Sequence, residues 1–376
     1  MRPLSREARL VTTCTGVVVT YSPDEHGYAD AHERATRGAL ARRLAGLKGY
    51  AFAGEYSASA GYGAPLYFVP GDTVPAEQAR ALGIASEHDL FGGVAAHAFI
   101  ATKAITHPLV DADARAPAGW SHAFAQRVQD AVLYGFSAFT LADARCAGRR
   151  VLERGAVRIK PVRETGGRGQ IVAADIEDLN AALEKMDPAE VGDGGLVLEE
   201  NLADVITLSI GQVRVAGLLA TYHGTQRLTT SNSGATVYGG SDLTIVRGNF
   251  ETLLGLDIAD DVRVAIAHAS LYDHAAMECF PGLFASRRNY DVVGGRDAAG
   301  RWRTGVLEQS WRIGGASGAE IAALEAFQAD PTLASVRAST FEIYGPCDAP
   351  PPEAIICFRG TDERIGALTK YARLGR

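Results

Sequence analysis

The stretch that most constrains this chain is a pair of strand-like runs joined by glycines. Arg287-Arg288-Asn289-Tyr290-Asp291 is followed by a hairpin-like segment from Gly294 to Gly300, and then by Val306-Leu307-Glu308-Gln309-Ser310-Trp311-Arg312. Asp291 ends the first run and Glu308 lies seventeen positions further on, at the far side of the hairpin, so the two carboxylates can converge on one cation. Mg²⁺ takes a few carboxylate oxygens and completes its octahedron with substrate phosphates and water, which this arrangement allows. Arg312 would then face an anionic substrate.

Length and composition narrow the setting. At 376 residues the chain exceeds what one hydrophobic core usually supports, so two or three lobes with a site between them are expected. No segment approaches the roughly eighteen apolar residues that a membrane helix needs, which excludes a membrane protein of that kind. The N-terminal run Val17 to Val19, with Thr12, Thr13 and Thr15 before it and Tyr21, Ser22 and Pro23 after, reads as a buried strand and turn rather than a signal peptide. A cytoplasmic location is the expectation. The five cysteines, Cys14, Cys146, Cys279, Cys347 and Cys357, are scattered and never spaced as CxxC, which disfavours a disulfide framework and a zinc site. A formal net charge of −7 argues against nucleic acid as a partner. A small molecule is expected instead, with homo-oligomerisation left open.

Along the first hundred residues short apolar runs alternate with helical spacing. Leu10 to Tyr21, Tyr50 to Phe52, Leu66 to Val69 and Val94 to Ile100 are strand-like, and Tyr28 to Leu47 is helical, which predicts a small α/β lobe. The Ala/Asp/Pro-rich stretch Asp111 to Trp120 reads as a connection. Beyond it, strand-like runs at Val157 to Pro161, Gly195 to Glu199, Val205 to Tyr222 and Val306 to Glu308 mix with helical segments at Ile176 to Met186 and Val262 to Cys279. That texture predicts an α+β lobe with a long antiparallel component. The tail after Pro350 to Pro352, with Arg359, Arg364, Lys370, Arg373 and Arg376, reads as a solvated closing segment.

Two further segments carry chemistry. The strand-like Val157-Arg158-Ile159-Lys160-Pro161 leads into Glu164-Thr165-Gly166-Gly167-Arg168-Gly169-Gln170, where glycines let backbone N–H groups approach an anion beside a fixed lysine. That suits a polyphosphate, and an ordinary glycine hairpin is the alternative. It is neither a Walker A loop nor a GxGxxG turn. In Gly195-Leu196-Val197-Leu198-Glu199-Glu200-Asn201-Leu202 a buried strand runs into two acids, and a strand leaving into a linker can offer its backbone to an adenine edge while a carboxylate accepts from the amino group or ribose. Solvated acids are the plainer reading. The polar, glycine-rich stretch Thr229 to Asp242 is a candidate loop to line a cleft and close over substrate. His268 and His274 match no HExxH pattern and read as surface or packing residues, and Ser317 is in no GxSxG elbow.

The order of lysine strand with glycine loop, acidic hinge and late Asp/Glu pair resembles the ATP-grasp superfamily from about Lys103 to Ser317, including an uncharacterised bacterial ATP-grasp-like family. Leu307 to Arg312 is similar to its late metal motif, although Asn289 and Tyr290 separate Arg288 from Asp291. The resemblance implies an α+β ATP-grasp fold with an N-terminal α/β pre-ATP-grasp lobe, divided as residues 1–110, an ATP-grasp domain of two subdomains at 111–345, and a closing segment at 346–376. It also implies that Lys160 and the earlier Lys103 contact ATP phosphates under a flap containing Gly166, Gly167 and Gly169. Glu199 or Glu200 would hold adenine, with Leu202 giving backbone contacts, and Asp291, Glu308 and Ser310 would ligate Mg²⁺. Ser310 stands where the family has asparagine, and its hydroxyl is a weaker donor, which puts one of two magnesium sites in doubt. Ile206 falls near the place of a ribose-binding acid, with Asp204 a nearby substitute.

The activity implied is Mg-ATP-dependent ligation of a small carboxylate through an acylphosphate to an amine, with Arg312 and Arg288 steadying the anion. Positioning and charge neutralisation suffice for such chemistry without a protein nucleophile. A noncatalytic nucleotide-binding protein is the alternative, and a kinase the third.

Overall fold

The computed structural model describes residues 15–23, 30–162, 169–346 and 349–375. Its N-terminal part is a parallel three-stranded sheet in which β1 (Val17–Tyr21) lies between β2 (Ala51–Glu55) and β3 (Leu66–Pro70). Helix α1 (Ala31–Lys48) connects the first two strands and stops at Gly49, whose φ of 66° is the left-handed cap geometry that glycine takes without strain. Its buried positions, Leu40, Ala41, Leu44, Ala45 and Leu47, recur at helical spacing. A short strand β4 (Val74–Pro75), helix α2 (Ala76–Leu82) and strand β5 (Gly93–Ala95) follow. The run expected to continue as strand to Ile100 instead turns into 3₁₀ helix at Ala98–Ala101 and again at Lys103–Ile105. Phe99, Ile100 and Ile105 are buried there in the main core, so the apolar run serves packing without joining a ladder.

Helix α3 (His122–Val128) leads to a four-stranded sheet of order β6, β9, β7, β8, made of β6 (Gly135–Ala138), β7 (Val157–Pro161), β8 (Ile171–Ala173) and β9 (Leu196–Glu200). Helices α4 (Leu141–Leu152), α5 (Ile176–Leu183) and α6 (Pro188–Gly194) lie between its strands in sequence, and α4 and α5 bury Ala144, Ala147, Val151 and Leu179 against Val157, Ile159 and Leu198. The boundaries of α5 follow from Asp175, whose carboxylate accepts from the N–H groups of Glu177 and Asp178.

The remainder builds on an eight-stranded antiparallel sheet. Its strands are β10 (Ala203–Val215), β11 (Leu218–Thr230), β12 (Thr236–Arg247), β14 (Arg287–Arg296), β15 (Trp302–Ser310), β16 (Ser335–Tyr344), β17 (Ile355–Asp362) and β18 (Gly366–Leu374), in the order 15-14-10-11-12-16-18-17. The first two are joined by a two-residue turn, Ala216 at φ 52° and Gly217 at φ 78°, between paired Val215 and Leu218. Two positive φ values match the right-handed twist of the flanking strands. Between strands lie α7 (Phe250–Leu254), α8 (Asp260–Cys279), a short strand β13 (Phe284–Ala285) paired with β5, and α9 (Ser317–Ala329). The largest core packs Ile266, Ala269 and Tyr272 of α8 against Tyr290, Val292, Val306 and Trp311. A second packs α1 and α9, through Leu44, Ile321, Leu324 and Phe327, against Tyr222 and Ile245.

Two expectations are corrected here. Thr229 to Asp242 is not a loop: Thr230 pairs with Thr236 and the ladder runs on to Thr225 and Asp242, leaving only residues 231–235 as a turn with Gly234 at φ 83°. Its β-branched and aromatic residues, Thr229, Thr230, Thr236, Val237 and Tyr238, outweigh its glycines. The tail is not merely solvated, because β17 and β18 extend the main sheet and bury Leu368, Tyr371 and Ala372. Among the described residues no helix is long and apolar enough to cross a membrane.

Candidate active site

The register of the β14/β15 hairpin sets Asn289 opposite Ser310 and Asp291 opposite Glu308. On the other side of β14, Ser209 of β10 lies opposite Asp291. Side chains alternate along a strand, so Arg287, Asn289 and Asp291 point to one face, where with Glu308, Ser310 and Arg312 they wall a cleft of about 570 Å³. Residues of the intervening parity, Tyr290 and Val292, go to the core under α8.

Asp291 is the most perturbed group of this wall. Its Oδ1 accepts from Gln226 Nε2 at 2.8 Å and from Asn289 Nδ2 at 3.1 Å. Burial and then the charge of Glu308 push its carboxyl up to about 7, against those hydrogen bonds and the Arg287 charge. Two carboxylates paired across the hairpin offer the oxygen donors that a hard divalent cation takes. Lys103, buried in the short turn capped by Thr102, places Nζ 3.0 Å from Glu308 Oε2.

The wall is fixed from behind by Arg287. Its guanidinium meets Glu320 of α9, with Nη2 2.8 Å from Oε1 and Nε 3.1 Å from Oε2, and Nη1 donates to Arg312 O at 2.6 Å and to Ser310 O and Oγ at 3.2 Å. Burial opposes its charge, but Glu320 and Tyr222 beside it hold it protonated well above the usual range. Tyr222 OH lies 2.5 Å from Glu320 Oε1 and 2.8 Å from Asn289 Oδ1, and Ser209 Oγ donates to the same Asn289 oxygen at 2.7 Å. Gly211 makes room for this network, since a Cβ there would come within 2.4 Å of the Tyr222 hydroxyl. None of Arg287, Glu320 and Tyr222 was singled out from the sequence. The available signal for Arg287 was its parity with Asn289 and Asp291, whereas nothing local marks Glu320.

Lys160 on β7 and Glu199 on the neighbouring β9 form a buried ion pair, and His107 Nε2 lies 3.0 Å from Glu199 Oε2. Burial raises the Glu199 carboxyl, but Lys160 and His107 overcome this and hold it down at about 2. Glu199 therefore faces inward and is not an open hinge acid. Its neighbour Glu200 accepts from Tyr134 N at 3.1 Å and lies 3.4 Å from Arg303 Nε, and Leu202 packs with Leu133 and Val293. Val162, two residues beyond Lys160, does line the cleft. Gly166 and Gly167 lie outside the described residues, and Gly169 takes a left-handed φ of 66°. Arg288 is a correction: its parity sends it to the opposite face, where Nη1 lies 3.1 Å from Asp273 Oδ2 and Nε donates to Ala285 O. His268 and His274 are on α8 and not on the cleft wall. Tyr238 and Ser241, from the stretch expected to be a loop, do reach the cleft.

Among solved structures the chain is similar to N5-carboxyaminoimidazole synthetase from Staphylococcus aureus complexed with ADP, with a TM-score of 0.54 and 10% identity over 96% of this chain and 93% of that one. It is also similar to the biotin carboxylase domain dimer of Hydrogenobacter thermophilus 2-oxoglutarate carboxylase, in complex with MgADP, ADP and bicarbonate, with a TM-score of 0.51 and 14% identity over 96% and 86%. At such identities the likeness shows the fold, which is that of the ATP-grasp proteins, α+β in class. No curated protein matches. A family model described as a protein of unknown function, DUF3182, matches residues 18–372.

Proposed function

Because the chain belongs to the DUF3182 family and folds as an ATP-grasp protein, we propose that it is a Mg-ATP-dependent ligase joining a small carboxylate to an amine through an acylphosphate. The observation that carries this reading is the pairing of Asp291 with Glu308 on the cleft wall, with Lys103 on the latter. The Asp291 carboxyl, raised by burial and then by the charge of Glu308, fits a hard divalent cation, because a cation between the two acids would offset both the burial of the charge and the repulsion. Bound there, Mg²⁺ would neutralise phosphate charge and orient the transferred phosphoryl group.

The chain's own residues divide the remaining work. Asp291 and Glu308 would hold the cation, with Asn289 and Gln226 aiming Asp291. Lys103 and Lys160 would meet the polyphosphate, Lys160 by exchanging its Glu199 contact for phosphate oxygens. Arg312 would steady the substrate carboxylate at the rim, and Arg287 sets where Arg312 begins by holding its carbonyl. The carboxylate oxygen attacks the γ-phosphorus and ADP departs. The amine then attacks the acyl carbon, and inorganic phosphate leaves.

Calorimetry of ATP binding with and without Mg²⁺ tests this, comparing wild type with Lys160→Ala and Glu308→Gln. Magnesium-dependent binding that is lost in both variants is expected, followed by ADP release only when a carboxylate and an amine are both supplied. An absence of binding at millimolar ATP would remove the proposal. One observation favours a second reading, nucleotide binding without turnover: Ser310 Oγ already accepts from Arg287, which competes with any role for it beside the cation. Magnesium-dependent binding with no ADP release across carboxylate and amine pairs would select that reading.

A further inference from the structure

The cleft does not end at Arg312. A second cavity of about 430 Å³ lies between the start of α1 and strands β16 and β18, and Glu33, Gly71, Tyr238, Arg312, Gly314 and Gly315 belong to the walls of both. Its volume is within the range that admits a small molecule. Most charged groups on its wall are already paired. His32 Nδ1 is 3.2 Å from Asp362, Asp30 is 3.2 Å from Arg364, and Glu342 is 3.1 Å from Lys370, while Arg37 donates to Tyr21 O at 2.9 Å. Glu33 is different: it is exposed at the junction and makes no hydrogen bond or ion pair with any described residue. A carboxylate oxygen of Asp30 and a ring nitrogen of His32 lie within 4.8 Å of one of its own.

The junction therefore has two chemistries side by side. Arg312 presents a cation to the cleft where an activated carboxylate would sit, and Glu33 presents an anion with no partner among the described residues where the second cavity begins. We propose that this cavity is the acceptor site, and that it takes a small polar primary amine, bound as its ammonium by Glu33. The proposal rests on the ligase reading above and specifies its second substrate class. The Glu342 and Lys370 pair, each about 14% exposed, and Thr340 give the cavity polar walls for the rest of that molecule.

The same placement gives Glu33 a role in the bond-forming step. An ammonium has no lone pair to attack with, so a proton must leave first; it passes to the Glu33 carboxylate and on to water. The freed nitrogen attacks the acyl carbon of the acylphosphate and the C–N bond forms; the nitrogen gives its second proton to the departing phosphate oxygen as the C–O bond to that oxygen breaks, releasing hydrogen phosphate.

The test is saturation-transfer NMR on the full chain with ethanolamine, putrescine and glycinamide as probes and acetamide and propanol as neutral controls, recorded with and without MgADP. At least one amine is expected to bind while the neutral controls do not. Glu33→Gln should weaken that binding at least tenfold with MgADP affinity unchanged within twofold, and Glu33→Asp should retain part of it. The proposal is overturned if none of the three amines binds, if Glu33→Gln binds them as wild type does, or if that variant loses MgADP in parallel. Failure of wild type to bind MgADP counts against the ligase reading alone, because the amine signal is also read without nucleotide.

Discussion

Replacing Asp291 by asparagine should make the protein more stable at alkaline pH while abolishing its response to magnesium. Moving an aspartate from its ordinary 3.8 to about 7 corresponds to roughly 4 kcal/mol at about 1.4 kcal/mol per tenfold change. The folded state holds the proton more tightly than the unfolded chain, so stability is full below about 3.8, falls as pH rises, and has lost this contribution once pH exceeds about 7. Asparagine has the same shape and keeps an oxygen for Asn289 and Gln226, but it never ionises, so it escapes that loss. Glu308 shares the repulsion, and relaxation takes more of it, so a gain of about 1–3 kcal/mol at pH 8 is expected. Thermal unfolding at pH 5, 6, 7 and 8 reads this as a difference in Tm that widens with pH to roughly 2–6 °C, since about 2–4 °C per kcal/mol holds for somewhat shorter chains. MgADP should raise the wild-type Tm and leave that of the variant unmoved. A variant no more stable than wild type at pH 8, or a difference that is flat across this range, would refute the reasoning.

Three further outcomes follow from the same structure. Arg287→Met leaves Glu320 buried without its cationic partner and should cost about 3–5 kcal/mol, visible as a large drop in Tm or as loss of soluble protein, whereas Arg288→Met, on the opposite face and partly exposed, should cost less. Lys160→Met removes the first opposing charge from Glu199, whose carboxyl is held at about 2 against an ordinary 4.5; the stability it contributes is present above about 4.5 and lost as pH falls towards 2, so the acid-unfolding midpoint should move to higher pH in the variant. Gly217→Ala forces a side chain onto a φ of 78° and should cost about 1 kcal/mol, measurable by denaturant midpoint with nucleotide binding unchanged.

The sequence by itself determined the local pieces and one long-range pair. Helical spacing in α1 and α8, the β-rich texture after residue 200, and the glycine-punctuated hairpin all arise from short-range propensity and periodicity, which are properties of neighbouring residues. Asp291 and Glu308 were legible as a pair because a hairpin is the one tertiary contact whose register follows from nearby sequence. Parity could also have separated Arg287 from Arg288, but only once it was known which face of β14 looked into the cleft and which onto α8, and that is decided by packing. The burial of Glu199 against Lys160 and His107, the clamp of Glu320 on Arg287, and the junction where Glu33 of α1 meets Arg312 bring together residues 33 to 279 positions apart. Distances of that kind along the chain leave no local trace, because the partners are chosen by how sheets and helices stack, and burial alone then fixes what each charge must find.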